Sequence, residues 1–234
     1  DGNAVVQGSL NRCAVFVGST PNIGTTVTAF GTAVHLALQS GQSVGYLCLN
    51  LKSSKLHRYL GIDEPGITLD AIRAELKAKT LTPERLRRLT LPARQVPNLH
   101  VLFGNMLRDQ AEFYEAEDME HLLQAASGAF DFFIADVSAY WDNAATVCAV
   151  AHAGTRIMVT TSQLAHFQED RCRWLHAVMP LLGLAGDSFD LVVTQAKAGD
   201  MYTIRDIRKE TGLEVLAKFG TYPELAGVLN RGEL

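Results

Sequence analysis

The chain has four cysteines, Cys13, Cys48, Cys148 and Cys172, and no two share a Cys-x-x-Cys spacing. A zinc ribbon and a disulfide framework are therefore excluded, and reduced thiols in a cytosol suit the pattern. It also lacks an apolar run of the ~18 residues that a membrane span needs. The opening Asp1-Gly2-Asn3 has no basic-then-apolar build, so no signal peptide is expected there. Basic excess is missing too: 21 Lys and Arg stand against 25 Asp and Glu, a formal charge of −4, which is not a polyanion-binding composition. The histidines show no His-Glu-x-x-His or similar ligand spacing, which leaves them structural or surface roles. Ser19 and Ser138 lie outside any Gly-x-Ser-x-Gly elbow, so a hydrolase triad has no support.

What is present is a globular balance, 47% hydrophobic and 20% charged, enough to bury a sizeable core. Short β-rich apolar runs alternate with helical patterns nearly from end to end. Strands are expected at 13–17, 44–49, 99–103, 130–135, 156–160, 189–193 and 214–217. Helices are expected at 25–39, 69–79, 83–90 and 115–126, with a last helical turn at 223–229. Gly41 reads as a helix C-cap, and Thr82 with Pro83 as an N-cap and first helical position. This alternation predicts an α/β fold: a mostly parallel, twisted sheet with helices on both faces, forming a single domain over 1–234. Right-handed crossovers put the βα loops on one sheet edge, so chemistry is expected after strands one and two and after Asp136. Trp141 and Trp174 read as core or interface anchors. The Arg85-Leu-Arg-Arg88 run reads as a solvated helix face.

Between the first strand and its helix lies Gly18-Ser-Thr-Pro-Asn-Ile-Gly24-Thr25-Thr26, whose two glycines nearly frame a phosphate-binding loop. Such a loop offers backbone N–H groups and the positive end of a helix to a phosphate. The lysine that should follow the second glycine is Thr25, whereas the hydroxyl expected next, for Mg²⁺, is present as Thr26. Taken alone, the segment reads equally well as an ordinary βα turn.

With the rest of the chain in view, the sequence resembles the MinD/ParA family of deviant Walker A P-loop ATPases, whose loop runs KGGxGKT[ST]. Thr20 stands at the signature lysine, Pro21 and Asn22 replace two glycines, and Ile23 fills the variable place. Gly24 and Thr26 match, and Thr25 replaces the phosphate lysine. After strand two the family reads IDxDL; here Leu47 to Leu51 puts Cys48 and Asn50 at the two acidic positions. The Walker B strand is matched by Asp131 to Ser138 with Asp136 at its end. The strand whose end commonly reads adenine is matched by Leu191 to Gln195, and the late IPxDPEL segment by Gly220 to Leu225.

The resemblance implies a degenerate family member. ATP or ADP with Mg²⁺ would be held weakly or not at all, by Gly18, Asn22, Ile23, Gly24, Thr25, Thr26, Val27 and Thr194, with Thr26 and Asp136 at the metal. Loss of one charge-stabilising group commonly costs about 3 kcal/mol in a transition state, roughly a hundredfold in rate. Here both lysines are gone, and Thr20, Thr25, Cys48 and Asn50 are the eroded positions, so no residue is assigned to catalysis. Lys52, Lys55 or Arg58 is a replacement charge on one reading and a solvated loop charge on the other.

Within the family, the sequence most resembles the TadZ and CpaE pilus-assembly localisation proteins, through Gly66 to Arg73, Asn98 to Phe103 and the acidic helix before Asp136. The role implied is a scaffold or polar-localisation factor for pilus or secretion machinery. It would be a cytoplasmic homodimer joined through the surface around Thr20, Asn50 and Ser138, binding protein partners and not nucleic acid, with membrane contact only through those partners. Two rivals stand beside it: a slow ATP-hydrolysing dimer/monomer switch, and a partition-type DNA-associated protein.

Overall fold

The computed structural model describes residues 10–52 and 54–234, apart from the side chains of 169–174. The opening tripeptide, Ser53 and the side chains of Cys172 and Trp174 thus lie outside the described residues. Along the chain the elements are β1 (Leu10–Gly18), α1 (Thr25–Ser40), β2 (Val44–Cys48), α2 (Leu56–Tyr59), α3 (Arg73–Lys77), α4 (Pro83–Leu89), β3 (Leu91–Ala93), β4 (Val96–Leu102), α5 (Ala116–Ala129), β5 (Phe132–Asp136), α6 (Ala144–His152), β6 (Ala153–Thr161), α7 (Leu164–Asp170), β7 (Asp190–Ala196), α8 (Ile204–Thr211), β8 (Glu214–Gly220) and α9 (Leu225–Arg231).

The strands form one sheet in the order β3-β4-β2-β5-β1-β6-β7-β8, parallel throughout except for the β3–β4 pair. From β1 the chain moves outward to β2, returns through β5, then continues on the other side of β1 with β6. Reversal of strand order at β1 opens a crevice at the carboxyl ends of the central strands, the place where such sheets bind ligands.

The apolar strand runs expected from sequence are the buried centre. Val15, Phe16 and Val17 of β1 are all fully covered, because alternate side chains feed cores on opposite faces of the sheet. On one face α1 lays Ala29, Phe30, Ala33 and Ala37 over Phe16, Tyr46, Cys48 and Ile134. On the other, α5 and α6 pack Leu122, Leu123, Ala126 and Ala149 against Val15, Leu47, Phe133 and Ala135. Gly45 sits mid-strand because the Phe130 ring lies where a Cβ would be.

Helix ends follow the local chemistry. Gly41 closes α1 in the left-handed region at φ 66, its N–H donating to Ala37 O at 3.1 Å, and Thr82 caps α4 by accepting from the Arg85 N–H. One expectation is corrected. The helix expected over 69–79 shrinks to α3, because Asp70 accepts from the backbone N–H groups of Met106 and Leu107 and so ties its segment to another loop. The arginine run is the solvated face expected: Arg85, Arg87 and Arg88 are exposed on α4 with only Leu86 turned inward, and on that face Arg85 pairs with Glu75 at 3.0 Å while Arg87 donates to Ala129 O and lies over the Phe130 ring. Trp141 is a core residue, 6.1 Å from Phe189 ring to ring.

Candidate functional site

The loop after β1 is fastened at its start and at its middle. Gly18 N–H donates to Ser138 O at 2.6 Å and Ser19 N–H to Val159 O at 2.9 Å, so its start is stapled to the ends of both neighbouring strands. Asn22 and Gly24 then turn it with left-handed φ values of 65 and 96, a conformation that asparagine tolerates and glycine adopts freely. Ile23 buries its side chain, and its carbonyl accepts the Thr194 hydroxyl at 2.6 Å; Gln195 Nε2 reaches Asn22 O at 3.3 Å. The end of β7 thereby holds the middle of the loop.

From Thr25 the chain enters α1, whose amino end carries no side-chain cap and no acid in its first turn. Its first N–H groups have no partner within the helix and sit at the positive end of the helix dipole. Thr25 itself is buried and turns its hydroxyl back over Gly18, into the space a Cβ there would need. A short hydroxyl folded inward stands at the position where the resemblance gives a long cation.

Thr26 and Asp136, the two residues given to a metal by the resemblance, are brought together. The Thr26 hydroxyl donates to Asp136 Oδ2 at 2.7 Å, the Tyr46 hydroxyl donates to the same oxygen at 2.8 Å, and Ser138 N–H donates to Oδ1 at 3.1 Å. Asp136 is wholly buried, between Phe16 of β1 and Cys48 of β2 in strand register. Burial pushes its carboxyl above the usual range, a pull that the three hydrogen bonds oppose. Tyr46 is the partner sequence reasoning missed. The signal was there, since a period of two puts Tyr46 and Cys48 on the same face of β2.

The two positions after β2 to which the resemblance gives acids differ in exposure to the cleft. Cys48 lies beneath the surface with its sulfur 3.3 Å from Ser54 Oγ; burial and then the Asp136 carboxylate push its thiol up to about 12, so it is neutral at physiological pH. Asn50 lines the cleft, and its side-chain oxygen accepts the Lys52 N–H at 3.1 Å. Thr20 is half-buried at the loop's start and does not line the cleft.

The cleft itself encloses about 960 Å³. Asn22 to Thr28 form one wall, with Thr194 and Gln195 beside them; the segment from Phe219 through Tyr222 to Leu225 and Leu229 faces them. Gly18 underlies the loop. Lys52 is committed to Asp142 at 2.5 Å and Arg58 to Asp63 at 2.5 Å, whereas Lys55 lines the cleft together with Arg108, a cation that sequence reasoning did not single out. The apolar wall was also missed beyond Leu225: α9 reaches across to α2, where Leu234 N–H donates to Tyr59 O at 2.9 Å.

A strand, a tight loop, an uncapped helix start and a buried carboxylate on the adjacent strand define the P-loop α/β class of nucleotide-binding folds. More particularly, the fold is that of the ParA and MinD ATPases. A ParA family ATPase from Chlorobium tepidum superposes with a TM-score of 0.82 at 18% identity, over 95% of this chain and 90% of that one. MinD from Pyrococcus horikoshii, solved with Mg-ADP, gives 0.76 at 17% identity over 94% and 86%. MinD in a MinC:MinD complex from Aquifex aeolicus gives 0.74 at 17% over 95% and 86%. No protein-family model matches the sequence, and no curated protein matches it significantly. Among the described residues no helix is long and apolar enough to cross a membrane.

Proposed function

We propose that this chain is a ParA/MinD-type nucleotide-binding protein that has given up fast hydrolysis and works as a scaffold. The observation that carries it is Thr25: the loop keeps its backbone cradle and uncapped helix start, yet the residue that should clamp phosphate is a buried hydroxyl turned onto Gly18. Phosphoryl transfer is chiefly positioning and charge stabilisation, so a site with donors but no clamped cation binds better than it catalyses. Cys48, a neutral thiol, cannot orient a water as a carboxylate would.

In this site the N–H groups of Thr25, Thr26 and Val27 receive phosphate oxygens. Thr194 holds the loop in shape, and Phe219, Tyr222 and Leu225 offer an apolar wall to the base. The placement of this scaffold in pilus or secretion machinery, at a cell pole and next to the TadZ and CpaE branch, is supported by the sequence segments 66–73 and 98–103. A homodimer joined through the loop face, and protein partners, follow from the same resemblance.

The test is titration with ADP and ATP followed by a turnover assay. Saturable binding with no turnover above background is the expected result. Saturable hydrolysis abolished by Asp136→Ala overturns the scaffold and leaves a slow ATPase, a second function favoured by Lys55 and Arg108 at the cleft wall. DNA binding that falls steeply with salt would instead establish the partition-type role, against which the −4 charge argues.

A further inference from the structure

We infer that Tyr46 keeps hydrated Mg²⁺ off Asp136, so that nucleotide enters this cleft without a divalent cation. This rests on the nucleotide-binding function proposed above.

A carboxylate offers about four lone-pair sites. On Asp136 three are taken, by the hydroxyls of Thr26 and Tyr46 on Oδ2 and by Ser138 N–H on Oδ1. Mg²⁺ demands near-octahedral geometry and dehydrates reluctantly, so a P-loop carboxylate holds it through its waters, which must donate to that same carboxylate. Tyr46 occupies such a donor place with a fixed group. Its ring is wholly buried, edge-on to Phe30 at 5.3 Å and 76°, so the hydroxyl cannot swing away without leaving the core. A displaced hydroxyl would be left buried and unpaired, a cost of about 1–3 kcal/mol.

No second acid makes good the deficit. The positions after β2 that would add carboxylates are Cys48 and Asn50. The donor set present does not fit a hydrated divalent cation. What it fits is a network of uncharged donors in which a tyrosine hydroxyl satisfies the carboxylate from below while the loop N–H groups remain for phosphate. A tyrosine that was merely a core residue with a convenient acceptor would leave the cation response of the cleft unchanged when its hydroxyl is removed.

The experiment titrates a fluorescent N-methylanthraniloyl-ADP into the whole chain and into Tyr46→Phe, once in EDTA and once in excess Mg²⁺ at matched ionic strength. Wild-type Kd values that agree within about threefold, with Tyr46→Phe bound about tenfold tighter in Mg²⁺, support the inference; tenfold is the worth of one hydrogen bond to a charged group. Wild-type binding tightened by Mg²⁺ beyond threefold overturns it while leaving the nucleotide function standing, and so does a Tyr46→Phe response equal to that of the wild type. Absence of saturable binding in both buffers overturns the nucleotide function and the inference with it. Should Tyr46→Phe fail to fold, the paramagnetic resonance of Mn²⁺ mixed with wild-type protein and ADP decides. A spectrum no more bound than Mn²⁺ with ADP alone supports the inference, and a protein-bound signal overturns it.

Discussion

Restoring the missing cation is the most direct test of whether the loop is a phosphate site. In Thr25→Lys the Cα and Cβ keep their places at the first turn of α1, and the inward hydroxyl over Gly18 is exchanged for an ammonium on a four-carbon stem. Thr25 is 7% exposed, so losing its packed hydroxyl lowers folding stability by about 1 kcal/mol. An ammonium placed on a bound phosphate gains one hydrogen bond between charged groups, about 1.5–3 kcal/mol. That corresponds to roughly a 10- to 150-fold gain in affinity. Calorimetric titration with ADP and with adenosine, in EDTA, separates phosphate recognition from base recognition. ADP should tighten at least tenfold while adenosine moves little. Turnover should stay absent, because Cys48 remains a neutral thiol. Equal ADP affinity in variant and wild type, or an equal gain for adenosine, would refute the assignment of the loop N–H groups to phosphate.

Other expected outcomes follow from individual contacts. Thr194→Val removes the buried donor to Ile23 O at 2.6 Å and Thr160 O at 3.1 Å; it should cost about 1–3 kcal/mol in denaturant unfolding and speed amide exchange across the loop. Gly61 has φ +65, and a Cβ there would lie 2.9 Å from Gly232 O, so Gly61→Val should lower stability by about 1–3 kcal/mol and hasten proteolysis after α9. His57 is buried with Nδ1 unpartnered, and burial followed by the neighbouring Arg58 charge holds its pKa below 6.5. Its neutral form is favoured by folding, so the stability it contributes is complete above pH 6.5 and is lost as pH falls through the folded pKa. Unfolding midpoints at pH 7.5 and about 5.5 should therefore diverge more for the wild type than for His57→Gln.

The sheet, its parallel sense and the crevice could be read in the sequence because each depends on patterns local to a few residues: a buried apolar run, a glycine turn, an amphipathic helix. Thr26 and Asp136 could be paired across 110 positions only because two such patterns end at the same sheet edge. The features that escaped are those decided by reach between distant segments. β3 is three residues long, contains Pro92 and pairs antiparallel at the sheet edge, so it carries neither length nor alternation to announce it. The end of α9 closes on α2 through one backbone hydrogen bond and a glycine–glycine contact, neither of which leaves a mark on hydropathy. Tyr46 is the instructive case. Its position in a buried strand reads as ordinary core, and its hydrogen bond to Asp136 exists only because β2 and β5 lie side by side. The same burial that makes the carboxylate costly makes a nearby hydroxyl valuable, so a loop without a lysine and a hydroxyl beneath the carboxylate suit each other physically. Loops of this fold that lack both lysines but keep the strand-end aspartate should accordingly carry a neutral donor at the position of Tyr46. Where an aliphatic residue stands there instead, the aspartate should bind Mg²⁺ in the presence of nucleotide.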